Sequence, residues 1–187
     1  MYDIPCVIFA GGKSKRMKRD KALLPFGSHN TLTEFQLDKF KPYFKNVYVS
    51  AKHSSKFNFD ADFIEDLEEF NESAPMIGLL SVFEQLGVDD IFVLSVDTPF
   101  FDIEHFEKLY KYIGNYTIIA KSSNKIHPLC AVYNREILQH LKIALQEKNY
   151  KLQEVFNKIN IKFVEFDDEK IFTNLNYPKD YEKWSNI

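Results

Sequence analysis

The stretch Cys6-Val7-Ile8-Phe9-Ala10-Gly11-Gly12-Lys13-Ser14-Lys15-Arg16-Met17-Lys18-Arg19-Asp20-Lys21 decides how the rest of the chain is read. Its first five residues form a continuous apolar run of the kind buried on both faces of a parallel sheet. Two glycines follow directly. They let the backbone turn sharply and bring N–H groups close to an anion. Lys13, Lys15, Arg16, Lys18, Arg19 and Lys21 then add cationic charge at the same place. A Gly-Gly pair alone marks many ordinary turns, and a lysine-rich loop is usually a solvated surface. Their coincidence straight after a buried strand favours phosphate binding. Neither the Gly-x4-Gly-Lys-Ser/Thr spacing of a P-loop nor the Gly-x-Gly-x-x-Gly of dinucleotide-binding folds is present.

Outward from this stretch, short β-branched and aromatic runs alternate with helix-like segments. Strands are expected at Val47–Ser50, around Phe63-Ile64, at Ile91–Val96, Thr117–Ala120, Leu129–Tyr133 and Ile161–Phe166. Helices are expected from about Thr31 to Lys41, where Thr31 and Glu34 offer a capping box, and from Pro75 through Leu86, with Gly87 past its end. Further helices are read at Asp102–Tyr112, Glu136–Glu147, Leu152–Ile159 and after Pro178. This alternation predicts an α/β fold with a mostly parallel central sheet. Without repeats, low-complexity stretches or linkers, residues 1–187 read as a single domain.

The 187 residues are 45% hydrophobic and 27% charged, a balance that argues against disorder. A formal net charge of −3 gives no global attraction to nucleic acid or anionic membrane. Cys6 and Cys130 sit inside apolar runs and read as buried strand thiols. The N-terminus lacks the basic and apolar regions of a signal peptide, and no apolar run approaches a membrane span, so a soluble cytoplasmic protein is expected.

Because ligands of such sheets bind beyond the carboxyl ends of the strands, polar residues just after apolar runs are the candidates. Asp97, in Ser95-Val96-Asp97-Thr98-Pro99-Phe100, ends the strongest strand and suits a magnesium ion held between protein and phosphates. Taken alone, a turn or N-cap role explains Asp-x-Pro slightly better. Asp66 is either a hydrogen-bond acceptor for a base or ribose or one more exposed acid beside Glu65, Glu68 and Glu69. Asn174 and Asn176 either aim amides at a ligand or cap the last helix. His127, ahead of an expected strand, reads as structural. Phe57, Phe59, Phe63 and Phe70 read as packing.

These motifs resemble the molybdenum cofactor guanylyltransferases, within the MobA-like nucleotidyltransferases. That family opens with Leu-Ala-Gly-Gly-x-Ser-x-Arg-Met-Gly-x-Asp-Lys, matched here by Phe9–Lys21. Its Asp ahead of a Gly-Pro-Leu-Ala-Gly-like turn is matched by Asp66 and Ala74-Pro75-Met76-Ile77-Gly78. Its Asp-x-Pro-Phe is matched by Asp97–Phe100, and its Asn-x-Asn-x-Pro-x-Asp by Asn174–Asp180. Two positions depart: Lys18 and Ala74 stand where the family has glycine.

The resemblance implies a Rossmann-like three-layer sandwich of the nucleotide-diphospho-sugar transferase type. It implies GTP and molybdopterin as substrates, Mg2+ as cofactor, and admits molybdoenzyme or cofactor-biosynthesis proteins as partners. By it, Phe9, Ala10, Gly11, Gly12 and Lys21 hold the triphosphate, and Asp97 ligates Mg2+. Asp66 and Ser50 line the nucleotide pocket, Arg16 and Lys21 stabilise the pyrophosphate, and Asn174 and Asn176 touch the acceptor or support the residues that do. A sister enzyme using CTP or a sugar or alcohol phosphate, and a non-catalytic nucleotide-binding accessory protein, remain alternatives. A dehydrogenase is a distant third.

Overall fold

The computed structural model describes residues 1–12, 19–114, 116–123, 125–175 and 178–184. Its strands are β1 (Cys6–Phe9), β2 (Val47–Ala51), β3 (Asp62–Glu65), β4 (Asp90–Ser95), β5 (Thr117–Ser122), β6 (Lys125–Asn134) and β7 (Ile161–Phe166). Its α-helices are α1 (Leu32–Phe40), α2 (Pro75–Leu86), α3 (Ile103–Tyr110), α4 (Ile137–Gln146), α5 (Leu152–Phe156) and α6 (Pro178–Trp184). The strands form one sheet in the order β3-β2-β1-β4-β6-β5-β7. Only β6 runs against its neighbours; every other pairing is parallel.

Alternation along the strands separates two cores. Cys6, Ile8 and Ala10 face α1 and α3, whose Leu32, Leu37, Phe40, Phe106 and Leu109 are buried with them. Val7 and Phe9 face the opposite layer, built by α2, α4 and α5. The chain is thus a three-layer sandwich, and Cys6, Val7 and Ile8 lose all exposure, as a strand covered on both faces must. Both cysteines are buried and free. Phe57, Phe59 and Phe63 form one aromatic cluster on the α1 side, whereas Phe70 packs on the other layer.

The helix boundaries follow local chemistry. The Thr31 hydroxyl accepts the Glu34 amide at 3.0 Å and donates to the Glu34 carboxylate at 2.8 Å, which fixes the start of α1. Pro75 opens α2, and Gly87 closes it at φ +65°, its N–H donating to the Phe83 carbonyl. Among the described residues no helix is long and apolar enough to cross a membrane.

Most boundaries fall within about two residues of the sequence reading, and two differ by more. The helix expected to reach Ile159 stops at Phe156, where Asn157 and Lys158 turn the chain toward β7 and the Lys158 amide bonds the Val155 carbonyl. The strand expected at Leu129 already begins at Lys125, so His127 and Pro128 lie inside β6. Proline is tolerated there because the ladder breaks: Ile119 pairs with Ala131, but the next residue, Ala120, pairs with His127. A residue without an N–H belongs in such an irregularity.

His127 stacks on Phe172 with ring centroids 3.7 Å apart, and its Nε2 lies 2.8 Å from the Ser122 hydroxyl. Burial, assisted by the charge of Lys125, lowers its pKa from 6.5 to about 4. The neutral ring is therefore the folded form, while the unfolded chain takes up a proton below pH 6.5. Stability from this group is complete above that pH and is lost as pH falls toward about 4. Urea titrations across this window should show a smaller pH slope for His127→Gln than for the wild-type chain. Identical slopes would contradict the assignment.

Candidate active site

The carboxyl ends of β1, β2 and β4 share one edge because the three strands run parallel. The order reverses at β1, with β2 and β3 on one side and β4 on the other. Ligands of open α/β sheets bind at such a reversal. Two clefts open there and meet. One is lined by Phe9, Ser50, Lys52, Asp66, Ser73 and Ala74, the other by Asp20, Lys21, Ser95 and Asp97; Gly11, Gly12 and Leu129 line both.

The glycine turn leaves β1 with its backbone still anchored, the Ala10 amide donating to the Ser50 carbonyl at 2.9 Å and the Val96 amide to the Phe9 carbonyl at 3.0 Å. Gly12 then adopts φ +133°, a conformation that residues with a Cβ rarely reach. Further along the chain, Asp20 caps a 3-10 turn over Lys21–Leu23 by accepting the Ala22 amide at 3.1 Å. This turn delivers Lys21 to Asp97: the ammonium donates to Oδ2 at 2.9 Å, and the Ser95 hydroxyl donates to Oδ1 at 2.6 Å. The two side chains are 76 residues apart in sequence and only 14% and 17% exposed.

The other expected residues fall close by. Ser50 is buried at the end of β2. Asp66 follows β3, its amide bonded to the Ala51 carbonyl, and burial raises its pKa against the opposing charges of Lys52 and His53. Ala74 precedes α2 at φ −144°, ordinary extended backbone, so glycine is not required there. Asn174 accepts a hydrogen bond from the Thr98 hydroxyl at 3.0 Å, and the Leu175 amide donates to the Asp97 carbonyl at 3.1 Å, which pins this segment against the Asp97 turn. Arg16, Lys13, Lys15, Lys18 and Asn176 lie outside the described residues.

Sequence reasoning missed Leu129, which the break in β6 brings to both clefts, and Lys56. The Lys56 ammonium reaches the Ala10 carbonyl at 2.8 Å and the Asp20 carboxylate at 2.6 Å, tying the two ends of the glycine-lysine loop to each other. Nothing local marks Lys56. Ser95 was missed as well, although Ser-x-Asp at a strand end could have marked it.

Among the described residues no group of three or more His, Cys, Asp or Glu could hold a metal on its own. A fully protein-built site is not the way magnesium usually binds beside phosphates; one or two carboxylates and the phosphate oxygens suffice. Asp97, with Asp20 on the same cleft, fits that mode. Among the described residues each carboxylate oxygen of Asp97 accepts one hydrogen bond, and a carboxylate offers about four acceptor positions.

Gly78, in the first turn of α2, allows the helix to press on the site: a Cβ there would lie 2.7 Å from Phe9 Cε1 and 3.3 Å from the Ser50 hydroxyl. Gly78→Ala should displace the Phe9 ring and destabilise the fold by about 1–3 kcal/mol. Gly11→Ala, whose Cβ would meet, among the described residues, only the Ala51 Cα at 4.0 Å, should be milder. Urea unfolding of the two variants checks the order; equal destabilisation would contradict it.

A parallel-sheet switch point that joins a glycine turn, a lysine and a strand-end aspartate defines a nucleotidyltransferase-type site. The MobA-like NTP transferase domain matches residues 6–162, and the chain belongs to that family. A molybdenum cofactor guanylyltransferase from Campylobacter jejuni (strain RM1221) is 42% identical, covering 100% of this chain and 97% of its own length. One from Helicobacter pylori (strain G27) is 34% identical over 96% of this chain and 90% of its own. The molybdopterin-guanine dinucleotide biosynthesis protein A from Archaeoglobus fulgidus shares the fold, with a TM-score of 0.81, 22% identity and 97% coverage of both chains.

Proposed function

We propose that the chain transfers GMP from GTP to the terminal phosphate of molybdopterin, releasing pyrophosphate and forming the guanine dinucleotide cofactor. One observation carries the reading: Lys21 and Asp97 meet at 2.9 Å beside the glycine turn, so a triphosphate seated there is within reach of both. The names of full-length relatives at 42% and 34% identity supply the substrates.

In this reaction an oxygen of the acceptor phosphate forms a bond to the α-phosphorus of GTP in line, and the bond from that phosphorus to the α,β-bridging oxygen breaks, that oxygen leaving on pyrophosphate. The nucleophile is already anionic, so no general base is required. Positioning and charge neutralisation therefore dominate. Backbone N–H groups of the glycine turn and the Lys21 ammonium orient the triphosphate, and Arg16 with Lys21 balances charge on the departing pyrophosphate. Asp97 holds Mg2+, which when bound neutralises charge at the reacting phosphate. Ser50 and Asp66 line the cleft that takes the nucleoside, and Asn174 and Asn176 are assigned to binding the acceptor or to supporting the residues that do. A cytoplasmic location and protein partners that receive the cofactor belong to the same proposal.

The decisive experiment incubates the protein with Mg2+, GTP and molybdopterin and follows the dinucleotide product by mass spectrometry, with CTP in a parallel reaction. Formation of the guanine product is expected. Preference for CTP, or turnover only with a sugar or alcohol phosphate, would replace the guanylyl reading with the sister chemistry.

A further inference from the structure

The Asp97 turn and the Lys21 turn are held by the same helix. On α1, Thr33 and Gln36 are three residues apart and so share a face; both are wholly buried. The Thr33 hydroxyl donates to the Ala22 carbonyl at 2.7 Å, next to Lys21. The Gln36 side-chain nitrogen donates to the Val96 carbonyl at 3.3 Å and to the Thr98 carbonyl at 3.1 Å, the residues on either side of Asp97. Because both partners are carbonyl oxygens, the amide must present its nitrogen to them. One turn further, Lys39 bonds the Pro99 and Phe101 carbonyls at 2.6 and 3.0 Å.

The arrangement has a cost that packing alone does not explain. The Gln36 Oε1 is buried and accepts no hydrogen bond from a described residue. A buried acceptor left unsatisfied is unfavourable and calls for an explanation. What this amide does achieve is to fix the backbone direction on both sides of one carboxylate.

We propose that Thr33 and Gln36 are positioning residues that set the separation of Lys21 and Asp97, so that α1 fixes the triphosphate contact and the metal contact relative to one another. The inference rests on the function proposed above, in which Lys21 touches the triphosphate and Asp97 the metal. Groups that orient metal ligands without touching the metal change metal affinity or activity about ten- to a hundredfold when removed.

The test is GTP binding to the full-length protein by calorimetry, with Mg2+ and again with EDTA, so that the ratio of the two dissociation constants reports the contribution of the metal. Gln36→Met should shrink that ratio about tenfold and leave the EDTA constant unchanged. Thr33→Val should weaken binding under both conditions. Arg135→Met serves as the control: Arg135 also donates to buried-side backbone carbonyls, those of Phe83 and Val88, but away from the cleft. It should lower the melting temperature and move neither constant.

A wild-type ratio in Gln36→Met would overturn the Gln36 assignment. Should that variant not fold, an unchanged EDTA constant in Thr33→Val would overturn the proposal through its other arm. Equal constants with and without Mg2+ in the wild-type protein are a different failure. They would remove the metal from Asp97, and with it the Gln36 half of the inference.

Discussion

Asp97→Ala is expected to lower GTP-dependent pyrophosphate release on the order of a thousandfold, the scale seen when a group that stabilises transition-state charge is removed. The fold should survive. The turn that carries Asp97 is held by main-chain contacts that do not involve its carboxylate: Gln36 on the Val96 and Thr98 carbonyls, Lys39 on those of Pro99 and Phe101, and the Leu175 amide on the Asp97 carbonyl. What is lost locally is a partly exposed ion pair with Lys21 and a hydrogen bond from Ser95. Both side chains are less than a fifth exposed, so removing one partner costs more than the roughly 1 kcal/mol or less of an exposed pair. A cooperative melting curve shifted modestly downward, together with turnover reduced about a thousandfold, is therefore the expected pair of results. Release near the wild-type rate would defeat the metal assignment outright.

Much of this site was legible because it is built from strand ends. A continuous apolar run must be covered on both faces, so Cys6–Phe9 had to be an inner strand, and the glycines after it had to stand at the carboxyl edge. The same argument applied to the strand ending at Ser95 places Asp97 on that edge. Parallel pairing of β1 with β4 then makes the two strand ends neighbours. What the sequence could not supply was the side chains that reach this edge from elsewhere. Lys56 arrives from the loop after β2, and nothing in Ser54-Ser55-Lys56 distinguishes it from any surface lysine. Thr33 and Gln36 carried no sequence signal of a role, and only tertiary packing makes these polar side chains buried. Leu129 was placed at the start of a strand because the apolar run begins there. The ladder instead continues past Pro128 to Lys125 through an irregularity that neither periodicity nor propensity encodes.

Lys21→Ala carries the second large effect, and it has two parts of opposite sign. Loss of a charge-assisted hydrogen bond to a phosphate costs about 1.5–3 kcal/mol, so GTP affinity should fall about ten- to a hundredfold. The turn itself should persist, since Asp20 still caps it through the Ala22 amide and the Leu24 amide still bonds the Lys21 carbonyl. Removing the ammonium also takes away the cation that lies 2.9 Å from Asp97. A carboxylate relieved of a neighbouring positive charge attracts a divalent ion more strongly. Metal binding in the absence of nucleotide, followed with Mn2+ by electron paramagnetic resonance, should therefore tighten in Lys21→Ala even as nucleotide binding weakens. Parallel weakening of both would mean that Lys21 merely supports the local fold, and an unchanged GTP dissociation constant would remove it from the triphosphate altogether. Opposite movement is the result that only a shared cleft for lysine, metal and phosphate predicts.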